Sequence, residues 1–257
     1  MVRDSCEKMY RFFVEREQID MTGKTVIVTG EDRNHIKNVL RMKEGEEVSV
    51  MVPGDDSEYR CALRSYTDEE AVLTVLFVKE SNVEPPCEVT LYQALPKADK
   101  MELIIQKAVE LGVSRIVPVA TSRAVVRLDE GKAAKKTARW NAISEAAAKQ
   151  SKRAIIPEVT GVMTMREAVK DAGDGVKIIP YELADPGSMK DTRRIMEEIK
   201  PGEKVAVFIG PEGGFTDEEI GLAISEGFLP VTLGHRILRT ETAGPVVLSW
   251  LIYCLEI

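Results

Sequence analysis

The chain has 257 residues, 44% hydrophobic and 30% charged, which is the composition of an ordinary folded protein with room for two domains. Its formal net charge of −7 argues against a protein that coats nucleic acid without selectivity. No apolar run approaches the roughly 18 residues of a membrane span, and no signal peptide is evident, so we expect a cytoplasmic protein without membrane contact.

Cysteine and histidine are too sparse for several classes of active site. The four cysteines are scattered without a CxxC pair, which indicates reduced thiols rather than disulfides or zinc. The two histidines, His35 and His235, exclude a histidine-rich metal centre and argue against a Ser-His-Asp triad. We therefore predict no metal site.

The first part of the chain is rich in strands. Five β-branched or aromatic runs, RFFVE, TVIVTG, EEVSVMV, EYRCALRSY and AVLTVLFVKE, are separated by turns. One helix interrupts them; Asp32 or Asn34 caps it in this interpretation, and Val39 belongs to its apolar face. Five strands with a single helix predict a small β-barrel over residues 1–80.

The pattern changes after a proline-containing stretch. Residues 81–88, SNVEPPCE, contain two adjacent prolines that forbid a helix and interrupt a sheet, so we predict a domain linker there. Strands then alternate with helices, of which one starts at Lys97 or Asp99 and a long one covers residues 130–151. This alternation predicts a parallel, doubly wound α/β sheet over residues 89–257.

The last segment, residues 243–257, is apolar on nearly every side. Pro245 is predicted in its first turn, where a missing N–H costs little. A helix that is apolar all round must be buried on more than one side, and we expect a second copy of the chain to cover one of them.

Two loops follow successive strands between residues 205 and 243. The first strand, VAVFI, leads into the glycine-rich loop GPEGGF, and a capping box of Thr216 and Glu219 starts the helix behind it. The second strand leads into HRILRTETAG. Loops at the carboxyl ends of parallel strands are where open α/β sheets bind ligands.

The glycine-rich loop lacks the features of a phosphate site. It matches neither GxxxxGK[ST] nor GxGxxG, it contains no lysine, and Glu212 lies inside it with Asp217, Glu218 and Glu219 behind. Such a loop would repel an anion but accept a neutral adenosine that carries a sulfonium cation, which suggests S-adenosylmethionine (AdoMet). The alternative is that GPEGG is only a tight turn between a strand and a helix.

The two loops together, GPEGGFTDEE and LGHRILRTETA, resemble the signature of the RsmE family of SPOUT methyltransferases. RFFV, HIKNVLRMKEGEEV, KMELIIQKAVELGV and RWNAISEAAAKQSKRAIIPEV resemble further blocks of this family in the same order. The resemblance implies a PUA-like RNA-binding barrel, a SPOUT-type α/β domain with a C-terminal trefoil knot, and a homodimer. It also implies AdoMet-dependent methylation of N3 of a uridine in small-subunit ribosomal RNA, the family target being uridine 1498 of 16S rRNA.

The same resemblance implies a cofactor site on backbone groups of three strand-end loops. The matching positions are Tyr181, Glu182, Ile209, Gly210, Gly214, Leu233, Gly234, Ile237, Leu238, Thr240 and Ala243.

Two charged residues of the second loop are candidates for chemistry. Arg239 could stabilise a developing uridine anion, and Glu241 could accept the N3 proton or orient the substrate. The alternative is that they pair with each other and only order the loop.

A local excess of basic residues predicts an RNA-binding surface on this acidic chain. Residues 123–153 contain nine Lys or Arg against three Asp or Glu, although such a run is often only a solvated helix face. The candidate RNA-binding residues from this run and from the family resemblance are Arg11, Arg41, Arg123, Lys152 and Arg153.

Three functions remain open at this point. The first is an AdoMet-dependent rRNA methyltransferase, and the second is a non-catalytic RNA-binding or ribosome-assembly protein on the same scaffold. The third, a dinucleotide-dependent enzyme, is disfavoured by the acidic loop. A non-catalytic relative is expected to have lost the glycines or the RILRTET run, and both are intact here.

Overall fold

The computed structural model describes residues 9–53, 55, 57–80, 83–181 and 189–256. The chain divides into two compact units. The first comprises Met1–Glu84 with Lys152–Ile155, and the second comprises Pro85–Ser151 with Ile156–Ile257.

The first unit is built on a mainly antiparallel sheet. Its strands are β1 (Arg11–Phe13), β2 (Ile19–Asp20), β3 (Thr25–Val28), β4 (Glu47–Met51), β5 (Ser57–Tyr66) and β6 (Ala71–Glu80). They are arranged in the order β1-β4-β5-β6-β3-β2, and β1 pairs with β4 in parallel while the other pairs are antiparallel. The five predicted strands are therefore confirmed, with the two-residue β2 added.

Alternating residues of these strands form the core of the first unit. Val26, Val48, Cys61 and Leu73 have no exposed surface, and they belong to one apolar cluster on one face of the sheet. Burial alternates in β3 as in a sheet with one buried face, whereas residues 48–51 of β4 are all buried. The register of β5 and β6 shifts at two places, which adds curvature to the pair.

The helix of the first unit differs from the prediction. Helix α1 (Gly30–Asn34) contains both residues that were predicted to cap it, and it continues into a π-helical turn (His35–Val39). Ile36 is fully buried, but Val39 is 64% exposed. The placement of Val39 on the apolar face was wrong because it assumed a period of 3.6 residues, which a π-helical turn does not follow.

The second unit contains a parallel sheet. Its strands are β7 (Glu88–Ala94), β8 (Arg115–Ala120), β9 (Glu158–Val159), β10 (Met163–Thr164), β11 (Val176–Pro180), β12 (Lys204–Ile209) and β13 (Leu229–Val231). The order is β10-β8-β7-β12-β11-β13, with β9 beside β8, and every pair is parallel. The predicted parallel α/β sheet is confirmed, and β9 and β10 were missed because two residues show no periodicity.

Six helices accompany this sheet among the described residues. They are α2 (Lys100–Glu110), α3 (Glu130–Ser151), α4 (Met165–Asp171), α5 (Met189–Glu198), α6 (Asp217–Ser225) and α7 (Thr240–Glu256). The predicted bounds of α3 are confirmed, and Asp99 is the N-cap of α2. The capping box of Thr216 and Glu219 is also present at the start of α6.

The central strands β7 and β12 are apolar on both faces. On one face Leu91 and Val207 join a cluster with residues of α2, α3 and α7. On the other face the rings of Tyr92 and Phe208 stack with their centroids 4.4 Å apart. Burial on both faces fixes the positions of the strand ends, where the loops begin.

Helix α7 begins before the predicted position. Because its first residue is Thr240, Pro245 lies inside the helix rather than in its first turn. A proline at this position cannot donate to the carbonyl four residues back, which belongs to Glu241. Val247 and Leu251 are buried, whereas Tyr253 is 67% exposed. Within the ranges described above, no helix has the length and apolarity to cross a bilayer.

A pair of glycine substitutions tests the second unit. Gly175 has a φ of +123°, and a Cβ there would lie 2.4 Å from the backbone oxygen of Lys204. Gly175→Ala should therefore lower the free energy of unfolding by about 1–3 kcal/mol, measured by urea denaturation. Gly221 lies within α6 with open space around it, so Gly221→Ala should instead raise that free energy by about 0.5–1 kcal/mol. Equal effects of the two substitutions would contradict this part of the fold.

Candidate active site

A cleft of about 780 Å³ lies at the carboxyl ends of β11, β12 and β13. This volume is within the usual range for a small-molecule site. Ten of the eleven residues predicted to hold a cofactor line it: Tyr181, Ile209, Gly210, Gly214, Leu233, Gly234, Ile237, Leu238, Thr240 and Ala243. The eleventh, Glu182, lies outside the described residues. The loops after β12 and β13 thus face one another across a single cavity.

The glycine-rich loop after β12 needs its glycines for two physical reasons. Gly214 has a φ of +66°, in the left-handed region that favours glycine. A Cβ on Gly210 would lie 3.2 Å from the ring of Phe215, and one on Gly213 would lie 3.3 Å from the Cβ of Arg123. The loop is therefore folded tightly against its own phenylalanine and against the neighbouring arginine.

The acidic residues of this loop have partners. Glu219 accepts hydrogen bonds from the backbone N–H groups of Thr216 and Ser122, and Asp217 accepts one from the Tyr181 hydroxyl. Accepting that bond is the main reason why Asp217 raises the pKa of Tyr181. The acidic side chains Asp217 and Glu219 thus order the loop and the helix that follows it.

Lys100 was missed as a site residue. It is the first residue of α2, it lines the cleft, and its Nζ lies 2.9 Å from Oε1 of Glu212. Burial favours the neutral form of Glu212, but the hydrogen bond from Lys100 and the Glu212 and Lys97 backbone N–H groups outweigh it and lower its pKa. Because Lys100 is 112 residues away along the chain, no motif in the loop could have indicated it.

Thr240 joins the second loop to the first. Its hydroxyl donates to the backbone oxygen of Gly210 at 2.7 Å and accepts a hydrogen bond from Nε2 of Gln93 at 2.9 Å. Gln93 is fully buried near the end of β7, and Thr240 is 5% exposed. This chain of three groups thus fixes the start of α7 against β7 and β12.

Arg239 and Glu241 lie close to each other without forming a tight pair. Nη1 of Arg239 is 3.9 Å from Oε1 of Glu241, whereas Nζ of Lys100 is 3.2 Å from Oε2 of the same carboxylate. The side chain of Arg239 is 81% exposed, and that of Glu241 is 16% exposed. The backbone N–H of Glu241 lowers the pKa of its carboxyl group, and Lys100 and Arg239 add to the effect. Glu241 is therefore ionised at neutral pH.

The residues predicted to bind RNA fall into different environments. Arg123 lines the cleft and donates hydrogen bonds to the backbone oxygens of Gly213 and Phe215. Arg41 and Lys152 are exposed, and both have a positive φ.

Two of the predicted RNA-binding arginines take part in buried ion pairs. The side chain of Arg11 is 8% exposed and pairs with Glu58, and that of Arg153 is 3% exposed and pairs with Glu84. Both guanidinium groups therefore have internal partners, which composition alone does not reveal.

No cluster of metal-ligating side chains is present in the part of the chain that the structure describes. The described cysteines, Cys61, Cys87 and Cys254, are free thiols. Burial raises the pKa of Cys61 to about 12 and that of Cys87 to about 11, so neither is a reactive thiolate at neutral pH.

Comparison with known proteins supports an RNA-directed site. A family model described as an RNA methyltransferase domain matches residues 83–252, and one described as an RNA methyltransferase PUA domain matches residues 28–76. The chain is 36% identical over 253 residues to the ribosomal RNA small subunit methyltransferase E of Bacillus subtilis, an alignment that covers 97% of this chain and 98% of the relative.

Two solved structures that are similar to the chain contain S-adenosylmethionine. One is a putative methyltransferase of Legionella pneumophila, with 35% identity and a TM-score of 0.82. The other is a ribosomal RNA small subunit methyltransferase E of Neisseria gonorrhoeae, with 31% identity and a TM-score of 0.82. Each alignment covers 96% of this chain and 98% of the other.

Substitution of Thr240 tests the connection between the loops. Thr240→Val keeps the shape but leaves the Gly210 oxygen without its donor, so the free energy of unfolding should fall by about 1–3 kcal/mol. Thr240→Ser keeps the hydroxyl and should lose less than half as much. Urea denaturation of both variants measures the difference, and equal stability of the Val and Ser variants would show that the hydroxyl contributes nothing.

Proposed function

The chain belongs to the ribosomal RNA small subunit methyltransferase E family, and on that premise we propose that it transfers a methyl group from AdoMet to N3 of a uridine in small-subunit ribosomal RNA. The observation that carries this proposal is the cleft formed by the two predicted loops. Its position at the strand ends and its lining agree with the site that the sequence indicated.

The cleft fits AdoMet in chemistry and in size. Its walls include backbone groups of both loops and the apolar side chains of Ile209, Leu233 and Leu238, which suit an adenosine. Because Gly210 and Gly213 have no side chain, the loop packs closely against Phe215 and Arg123 and takes up little space beside the cavity. When bound there, AdoMet supplies a methyl group that its sulfonium has already activated.

The methyl acceptor must be activated by the protein, because N3 of a neutral uracil is a poor nucleophile until its proton leaves. Arg239 extends from the rim of the cleft with most of its side chain exposed, so its guanidinium can meet the uracil oxygens that gain charge. The N3 proton then passes to water at the open mouth of the cleft.

Glu241 is better suited to orienting Arg239 than to acting as a general base. Its pKa is held below the ordinary value, and a base works best when its pKa lies near the operating pH. Its carboxylate lies 3.9 Å from the guanidinium, close enough to direct that group without fully pairing with it.

We further propose that RNA binds both units. The PUA family match covers much of the curved sheet of the first unit, and Arg41 and Lys152 are exposed cations there. In the second unit Arg123 and Arg236 line the same cleft as Arg239. The PUA-like barrel, the trefoil knot that contains α7 and a homodimer that covers the exposed part of α7 belong to the same proposal.

The activity is tested by incubating the protein with labelled AdoMet and small subunits from cells that lack the native enzyme. Label should appear on N3 of one uridine, as located by mass spectrometry of nuclease fragments. Label on another atom or base would reject the proposed specificity. Binding of AdoMet without any labelling would favour the non-catalytic alternative.

Arg239→Ala tests the role of the guanidinium. Turnover should fall about 10²-fold, while the Kd for AdoMet should change less than threefold, because the proposed contact forms with the substrate in the transition state. Arg166 carries the same charge on α4 and is exposed outside the cleft lining, so Arg166→Ala is the matched control and should leave both values unchanged. A parallel loss in turnover and AdoMet affinity for Arg239→Ala would assign the residue to cofactor binding instead.

A further inference from the structure

The ammonium group of Lys100 contacts carboxylates of both cleft loops. It is 2.9 Å from Oε1 of Glu212 in the glycine-rich loop and 3.2 Å from Oε2 of Glu241 in the first turn of α7. The side chains of the three residues are between 16% and 29% exposed. One partly buried cation thus contacts two carboxylates, one from each cleft loop.

The two carboxylates depend on Lys100 to different degrees. Glu212 also accepts a hydrogen bond from the backbone N–H of Lys97 at 3.2 Å. Oε2 of Glu241 is buried and has no hydrogen bond of good geometry among the described residues, so the charge of Lys100 is its nearest compensation. Removal of Lys100 would leave Glu212 with the Lys97 N–H, whereas Glu241 would keep its own backbone N–H and Arg239 as a remaining ion-pair partner.

Lys100 also competes with Arg239 for Glu241. The contact from Lys100 is 3.2 Å, and the contact from Arg239 is 3.9 Å. With Lys100 as the nearer cation, the guanidinium of Arg239 does not form a tight pair with Glu241 and is 81% exposed at the rim of the cleft. Without Lys100, Glu241 would close on Arg239 and neutralise the charge that a substrate anion would otherwise meet.

We propose that Lys100 is a positioning residue for methyl transfer, which holds Glu241 at a distance from Arg239 and so keeps that guanidinium available to the substrate. This inference rests on the proposed function, in which Arg239 acts on the uracil. Lys100 itself touches neither the methyl group nor the base in this assignment.

The first test compares three substitutions on α2. Lys100→Met should lower kcat about 10- to 100-fold, because a small displacement of a catalytic group is enough for such a loss. Lys100→Arg keeps a cation in place and should recover most of that loss. Lys107 pairs only with Glu110 on the same helix in the described structure and does not line the cleft, so Lys107→Met is the matched control and should leave kcat unchanged.

The Kd for AdoMet, measured by calorimetry, separates positioning from general damage. It should change less than threefold in Lys100→Met, since the Lys97 N–H still holds Glu212 and Arg123 still holds the loop. A large loss of AdoMet affinity, or a kcat equal to that of the wild type, would overturn the inference. A fall in melting temperature with unchanged kcat would assign Lys100 a structural role and overturn it too.

A double-mutant cycle asks whether Lys100 acts through Glu241. The variant with both Lys100→Met and Glu241→Gln should be no slower than Lys100→Met alone, because the carboxylate that would neutralise Arg239 is gone. Multiplication of the two single losses would show independent roles and reject the inference. If the wild-type protein does not methylate uridine N3, the proposed function fails first; if it does and the cycle is multiplicative, only the role of Lys100 fails.

Discussion

The hydroxyl group of Thr240 joins the three elements on which the cleft depends. This hydroxyl donates to the carbonyl of Gly210 after β12 and accepts a hydrogen bond from Gln93 near the end of β7. Thr240 itself is the first residue of α7. Since Gln93 and Thr240 are buried and Gly210 is partly buried, breaking this chain would leave polar atoms without their partners. The two loops therefore face each other across a fixed gap, and the cavity between them is a consequence of the packing of the sheet.

Charge in the cleft is arranged by pairing rather than by excess. The sequence shows a glycine-rich loop with several acidic residues and a second loop with two arginines. From the sequence alone, the glycine-rich loop is expected to repel anions. In the structure Glu219 caps α6, Asp217 accepts from Tyr181, and Glu212 pairs with Lys100. These carboxylates keep their charge but have partners that order the loop, whereas the guanidinium of Arg239 is 81% exposed at the rim.

Local patterns were sufficient for much of this structure. The bounds of α3 and the capping box of Thr216 and Glu219 follow from residues that are neighbours in sequence, whereas the cofactor positions came only from the family resemblance. Ion pairs between residues that are distant in sequence could not be predicted from local patterns. Examples are the pairs of Lys100 with Glu212, of Arg11 with Glu58 and of Arg153 with Glu84. The π-helical turn was missed because apolar spacing assumes a regular helix.

The position of Pro245 divides α7 into two parts with different stiffness. The turn that carries Thr240 and Glu241 is joined to the rest of the helix without the hydrogen bond that a residue with an N–H would supply there. After the proline, Val247, Leu248 and Leu251 are buried in the apolar core. A small tilt of the leading turn would therefore cost less than bending an unbroken helix, so the bonds of Thr240 to Gly210 and Gln93, rather than the helix itself, set the direction in which Glu241 projects.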